Sequence, residues 1–461
     1  MEQPDSEEGD GLPSPRSVRH RIALAGRIGV RTLAALTALV VLAGTGWAWR
    51  NYHTALTGVT VSDALHDTPR SPGADQNILV MGLDSRLDEQ GKPLPQNMYD
   101  ALHAGDDTVG GHNANVLILV HIPGDGSKAT AISIPRDDYV ALDPAACTVT
   151  VSCKGKIKQA YGFAYARAKS ALSGTVTDTA DLEQRSRDAG RRAEIATVRS
   201  FLGDMPIDHF VEVTLAAFFQ IADAVQPITV CLNENTTDSY YSGAEFRRGV
   251  QQIDASQAMA FVRQRRDPHP ALDFTDLDRT RRQQAFIVSV ARKLQDSGTL
   301  ANVGTLSDLL AVAERDLAID HGLDLPQFAA QAADLMSGGL SLYTLPIKEF
   351  ATTSGGEDVN LVDPAGIHGI VRSLLGSADR TGSPSSTPPP AATGPSGGGA
   401  DATGIVGGGP AAATTSGSGA TVTSTTTAPP PPLVSATAPG AAAPGVTDLS
   451  TMDSDGIPCV K

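Results

Sequence analysis

Two arginine-rich stretches carry the strongest chemical signal in the chain. Phe261-Val262-Arg263-Gln264-Arg265-Arg266 is followed, after a turn, by Asp276-Leu277-Asp278-Arg279-Thr280-Arg281-Arg282-Gln283-Gln284. With Phe261–Arg263 read as a strand, Arg263 and Arg265 stand two apart on an extended backbone and share one face. A helix over Thr280–Leu294, entered through the second stretch, sets Asp276, Arg279 and Gln283 at i, i+3 and i+7, in one stripe. Guanidinium forks arriving from two directions suit an oligoanion such as a pyrophosphate. Phosphoryl transfer needs such a clamp, because it depends more on stabilising charge at the transferring oxygens than on a covalent nucleophile. A salt-bridged surface helix is the plainer reading of the same residues.

Two further segments end apolar runs in charge. In Asn77-Ile78-Leu79-Val80-Met81-Gly82-Leu83-Asp84-Ser85-Arg86 the strand finishes in an acid and a base at the rim of a sheet, where α/β proteins place their sites. Asp84 is suited there to holding a divalent cation, and a solvated Asp-Arg turn is the alternative. In Ser133-Ile134-Pro135-Arg136-Asp137-Asp138-Tyr139, Pro135 enforces an extended approach, so Arg136 emerges at a defined place with two acids behind it. Lys154, Lys156 and Lys158 follow, in a solvated loop or beside the same anion.

No P-loop, GxSxG or HExxH motif occurs, so nucleotide-loop, serine-hydrolase and zincin chemistry lack their signatures. A formal charge of -15 argues against general nucleic-acid binding. Among the 4 cysteines no C-x-x-C zinc spacing appears. Cys147 and Cys153 suggest a small disulfide loop, as in an exported protein, and Cys231 and Cys459 could close a long one. His112, His121 and His209 are scattered and read as surface or hydrogen-bonded core groups rather than ligands.

The elements that must position these residues follow from the apolar pattern. Ile78–Met81, Val116–Val120 and Thr130–Ile134 are continuous apolar or near-apolar runs, as in strands buried on both faces. Helices are expected over Ala189–Leu202, Leu215–Val225 and Asp254–Ala260, with a strand at Pro227–Val230. Interleaved in this order, they predict a layered α/β/α domain with a mixed central sheet, spanning residues 77–376. Upstream, Thr32–Trp49 is an 18-residue run without a charge; as a helix it would rise about 27 Å, close to the thickness of a hydrocarbon core. Arginines 16, 19, 21, 27 and 31 precede it and Trp47 and Trp49 close it. That pattern predicts a cytoplasmic segment 1–31, a transmembrane helix 32–49, a stalk 50–76 and an extracytoplasmic domain, with a cleaved signal peptide as the competitor. Residues 377–461 are dominated by Gly, Pro, Ala, Ser and Thr and read as a low-complexity tail.

Taken together, NILVMGLDSR, AISIPRDDYV, KIKQAY, AFVRQR and DLDRTRRQQAF resemble, in order and spacing, the LytR-CpsA-Psr family of cell-wall glycopolymer transferases, and in flavour its actinobacterial, mycobacterium-like branch. The match covers Asn77 to Leu294 and, more weakly, extends to Gly376. The resemblance implies an extracytoplasmic α/β domain, anchored in the cytoplasmic membrane, that moves a glycan phosphate from a polyprenyl-pyrophosphate carrier to a hydroxyl of peptidoglycan. The glycan would be of the arabinogalactan-linker type and the cofactor magnesium or manganese. It further implies metal contacts at Asp84 and Asn115; catalytic roles for Arg136, Arg263, Arg265, Arg279, Asp276 and Gln283; and substrate contacts at Arg86, Lys156 and Arg282. Two departures stand out. Asn113-Ala114-Asn115 replaces an acid-ending triplet, and Lys158 takes the place of an asparagine. An uncharged Asn115 is the best argument for a second reading, a binding module without turnover; a third, hydrolysis of the lipid pyrophosphate by water, is implied by the family for conditions without acceptor.

Overall fold

The computed structural model describes residues 58–375, apart from 67, 104–110, 148–152, 270–271, 273, 296–302, 325–327 and 329–339, and farther on 433–435, 447–448 and 456–461. At its centre lie β2 (Gln76–Leu83) and β3 (Ala114–Ile122), antiparallel with Val80 opposite Ile118. Around them an eight-stranded mixed sheet is completed by β1 (Thr60–Ser62), β4 (Ala129–Ser133), β5 (His209–Val213), β10 (Leu317–Asp320), β11 (Leu340–Thr344) and β12 (Thr447–Asp448). The order is β1-β10-β5-β2-β3-β4-β11-β12.

Successive residues of the central strands face opposite sides, and both sides are covered. Leu79, Met81, Leu117, Leu119 and Ile132 pack on helices α1 (Gln159–Leu172) and α2 (Thr179–Phe201) through Tyr161, Ile195 and Val198. On the other face Ile78 meets Val211 and Ile319, and Ile118 meets Val288. Burial on both faces is why these strands read as continuous apolar runs, and each fully buried large apolar side chain contributes about 1.5–3 kcal/mol. The α/β layering expected from the sequence is therefore present.

A second, smaller sheet sits beside the first. In it β6 (Ile228–Leu232) is flanked by antiparallel β9 (Gly249–Ile253) and parallel β13 (Cys459–Val460). Helices α3 (Leu215–Val225), α4 (Ala255–Arg263) and α5 (Asp276–Gln295) share a core with it around Val230, Phe261 and Phe286. Between β6 and β9 runs a short hairpin, β7 (Thr236–Asp238) with β8 (Ala244–Phe246).

Several expectations are corrected. Among the described residues no helix is long and apolar enough to cross a membrane. The transmembrane helix, the single-pass topology and the membrane localisation therefore find no support among the described helices; the segments 1–31 and 32–49 on which they were placed lie outside the described residues. Part of the segment read as a stalk is ordered, because Thr60–Ser62 pairs in parallel with Ala318–Asp320 and Val59 packs against the Ile78 cluster. The final residues do not all behave as tail. Cys459 is bonded to Cys231 with Cα atoms 4.4 Å apart, and the asparagine after β6, Asn233, donates its backbone N–H to the Val460 carbonyl. Cys147 and Cys153 form the short disulfide.

Candidate active site

Five chain segments bring the site together. Asp84 and Arg86 leave the end of β2, with the Asp84 N–H donating to the Asn113 carbonyl at 3.1 Å. Asn115 lies on β3, and Arg136 follows β4 through Ile134 and Pro135. Arg263 closes α4, and Arg265 follows in the loop. Arg279 and Gln283 project from the first turns of α5, on the expected stripe. All eight line one cavity of about 680 Å³.

Phe261–Arg263 is helix, not strand. A capping box between Asp254 and Gln257 starts α4, and burial of Ala258, Phe261 and Val262 carries it one turn past Ala260. The chain straightens at Gln264 (φ -55, ψ 129), whose buried amide is fixed by Thr236 and Arg282. Arg263 and Arg265 thus reach the cavity from a helix end and an extended residue rather than from one strand face.

The charges are only partly neutralised. One carboxylate, Asp276, sits between Arg136 Nε at 3.3 Å and the Arg279 guanidinium. Arg136 also donates to Asn115 Oδ1 at 2.7 Å. Arg263 donates to the main-chain carbonyls of Leu102 and His103, which are neutral acceptors. Among the described residues no carboxylate oxygen lies within 4.0 Å of Arg263 or Arg265. Burial lowers the affinity of both guanidinium groups for the proton, reinforced by Arg86 beside Arg263 and by Arg136 beside Arg265. Burial also pushes Arg279 down to about 9, so it stays charged at neutral pH.

Three of the expected residues are placed outside the cavity lining. Asp276 acts on Arg136 and Arg279 from behind. Lys156 turns to Asp137 and Glu357, at 3.9 and 3.8 Å. Arg282 is fully buried and bonded to Gln264 Oε1, Thr236 Oγ1 and the Lys461 main-chain oxygen, so in this structure it ties α5 to the hairpin and to the end of the chain. Lys158 pairs with Asp137 at 2.6 Å, and burial together with nearby Arg136 pushes its ammonium down to about 8. Sequence reasoning left Arg266 and Tyr241 unassigned, although both line the cavity and Arg266 closes the same motif as Arg263 and Arg265.

The metal expectation does not fit the placed residues. Asp84 Oδ1 is taken by Arg86 at 2.5 Å and Asn115 Oδ1 by Arg136. Among the described residues no group of three or more His, Cys, Asp or Glu side chains could hold an ion. One paired carboxylate and one occupied amide make a poor magnesium site. The histidines are hydrogen-bonded, ion-paired or stacked core groups: His121 with Asn77, His209 with Asp320, and His112 stacked on Tyr165.

Most of the rest of the cavity is apolar, with Thr214, Asp238 and Ser242 as the polar exceptions. Phe286, Ile287, Val290, Ala291 and Leu294 continue along α5 from Arg279 and Gln283, facing Leu215, Phe218 and Ile221 of α3. From Arg279 to Leu294 the helix rises about 22 Å. One wall therefore passes from guanidinium to hydrocarbon, a shape suited to an amphipathic ligand with an anionic head.

Residues 51–365 match the model of the LytR_cpsA_psr family, and the chain belongs to that family. It is 36% identical over 305 residues to the cell wall biosynthesis protein LcpA of Corynebacterium glutamicum, a match covering 66% of this chain and 56% of the relative. It is 26% identical to the probable cell wall biosynthesis protein LcpB of the same organism, over 68% of this chain and 64% of the relative. A third relative is the polyisoprenyl-teichoic acid–peptidoglycan teichoic acid transferase TagU of Bacillus subtilis, 23% identical over 64% of this chain and 78% of that one. The chain thus spans less than two thirds of the two Corynebacterium proteins. Both are corynebacterial, which supports the actinobacterial side of the resemblance and nothing specifically mycobacterial.

Proposed function

We propose that the protein is a glycopolymer–peptidoglycan phosphotransferase, taking a glycan phosphate from a polyprenyl-pyrophosphate carrier. The observation that carries this reading is the single cavity whose arginine end and apolar wall lie along the same helix. In this reading the two phosphates rest among Arg136, Arg263, Arg265 and Arg279, with the prenyl chain along Phe286, Val290 and Leu294. An acceptor hydroxyl attacks the sugar-side phosphorus. The bond from that phosphorus to the bridging oxygen breaks, and polyprenyl phosphate departs with that oxygen. The hydroxyl proton passes to Asp84, the carboxylate nearest Arg86 in the lining. Fixed guanidinium groups stabilise the equatorial oxygens as charge develops. Asp276 positions two of them, and Gln283 supplies an amide to the same face.

Family membership and the names of the relatives support transfer to peptidoglycan in general. The finer proposal, a donor of the arabinogalactan-linker type, rests on the corynebacterial likeness alone.

The test incubates the purified protein with a polyprenyl-pyrophosphate oligosaccharide and peptidoglycan fragments, with magnesium or with a chelator. Release of polyprenyl phosphate together with a phosphodiester-linked product is expected. Release without that product would indicate a pyrophosphatase, and bound but intact donor in every condition a binding module.

A further inference from the structure

Tyr240 and Tyr241, in the turn between β7 and β8, are large aromatic side chains left in solvent, 84% and 54% exposed. Their rings meet edge to face, with centroids 4.6 Å apart and planes at 80°, so that they form a corner rather than a flat patch. Arg266 lies over the Tyr241 ring, its guanidinium carbon 4.3 Å from the centroid. Both Tyr241 and Arg266 also line the arginine end of the cavity.

The turn that carries the corner is firmly held. Asp238 accepts from the Tyr241 N–H at 3.3 Å and the Ser242 hydroxyl at 3.0 Å through its side chain, and from the Gly243 N–H at 2.9 Å through its carbonyl. Gly243 takes φ 73, a left-handed value that glycine adopts without strain. Asp267, in the loop after the arginines, accepts from the Thr237 N–H at 2.7 Å and ties the hairpin to that loop. Exposed aromatic area held in a preformed shape beside an anion clamp is a binding surface with little ordering still to be done.

We propose that Tyr240 and Tyr241 form a stacking platform for the first sugar ring of the donor, a site additional to the phosphate clamp. The inference rests on the pyrophosphate reading of the cavity. With the prenyl chain running along α5 toward Leu294, the glycan leaves the clamp at the other end, where Tyr241 and Arg266 stand. A pyranose ring presents an apolar C–H face and a rim of hydroxyl groups. The face matches an aromatic ring, and the rim matches Arg266 and the tyrosine hydroxyls.

The experiment measures binding of two probes by calorimetry: farnesyl pyrophosphate, which has no sugar, and farnesyl-pyrophosphoryl disaccharide. Tyr240→Ala and Tyr241→Ala are each expected to weaken the sugar-bearing probe about five- to tenfold, the loss of roughly 1 kcal/mol of stacking, and to leave the bare pyrophosphate unchanged. Tyr241→Phe keeps the ring and should keep the affinity. Arg263→Ala should weaken both probes. Equal losses on both probes in the tyrosine variants, or none on either, would overturn the platform. If those variants instead lose only adhesion to anionic lipid vesicles, the corner is a membrane contact and the sugar assignment is wrong. Wild-type protein that binds neither probe would show that the pyrophosphate reading itself had failed.

Discussion

Replacing Glu194 by glutamine should make the protein more stable at alkaline pH and leave it nearly unchanged at pH 5. Glu194 lies on α2 with no exposed surface. Its Oε2 accepts the Tyr161 N–H at 2.9 Å, while Oε1 is buried without a hydrogen-bond partner. Burial pushes this carboxyl up from 4.5 to about 8. In the unfolded chain it ionises near 4.5, so between that pH and 8 the unfolded state binds fewer protons and stability falls as pH rises. The contribution is fully present below pH 4.5, is lost progressively up to about 8, and stays level above. A pKa gap from 4.5 to about 8 corresponds to at most about 5 kcal/mol. Relaxation around the charged group reduces this, and we expect about 2–3 kcal/mol to be realised. A glutamine side chain in that place keeps an acceptor for the Tyr161 N–H and carries no proton to lose. Urea unfolding followed by far-ultraviolet circular dichroism at pH 5, 7 and 8.5 measures the difference directly. A gap between variant and wild type that does not change with pH, or that narrows as pH rises, would refute the reasoning.

Arg263→Ala and Arg265→Ala should each lower the initial transfer rate about 100-fold, the usual cost of losing one donor to a transition-state oxyanion, and unchanged rates in both would remove them from the site. Arg191→Met should cost about 3–5 kcal/mol in urea unfolding, since Arg191 is fully buried between Glu89 at 2.8 Å and Glu212 at 3.0 Å. Adding Glu212→Gln should recover part of that loss, and strictly additive effects would argue against the network. Cys459→Ser should lower thermal stability by about 3–5 kcal/mol, because the Cys231–Cys459 bond closes a sequence separation of 228. A melting temperature equal to wild type under oxidising conditions would mean that the last residues do not hold the smaller sheet.

The legible parts of the fold are those whose burial leaves a local pattern. The central strands are apolar on both faces and appear as unbroken runs. The observed bounds of α3, Leu215–Val225, are those read from its apolar residues, and Thr214 caps it by accepting from the Ala217 N–H. The first half of α2 had no such signature, because its buried face is built from ion pairs. Arg187 and Arg191 bond to Glu89, Glu183 and Glu212, and a segment such as Asp181-Leu182-Glu183-Gln184-Arg185 shows no apolar period. Thr60–Ser62 and Cys459–Val460 are strands only because distant strands recruit them, so three or fewer residues carried no signal of their own. In the site, helical spacing separated Arg279 from its neighbours correctly. It could not show that Arg282, three residues on, faces Gln264, Thr236 and Lys461, since those partners are set by chain segments far away in sequence.

The electrostatic design of the cavity explains how it can hold an anion without being closed by its own acids. Six arginines, at 86, 136, 263, 265, 266 and 279, contribute to the lining, against Asp84 and Asp238. Had each arginine its own carboxylate, an incoming pyrophosphate would have to break as many ion pairs as it made, and little net attraction would remain. Here Asp84 pairs with Arg86, and Asp137 and Asp276 with Arg136, but Asp276 is shared with Arg279, Arg263 is steadied by carbonyls, and Asp238 spends its oxygens on the Tyr241 and Ser242 turn. The guanidinium groups are oriented while positive charge is left over. Burial, by weakening the hold of Arg263, Arg265 and Arg279 on their protons, also records how little water screens these three, so the same burial that costs stability strengthens their pull on phosphate oxygens. A site arranged in this way favours a compact anion with at least two charges. A pyrophosphate meets that requirement, and a single carboxylate does not.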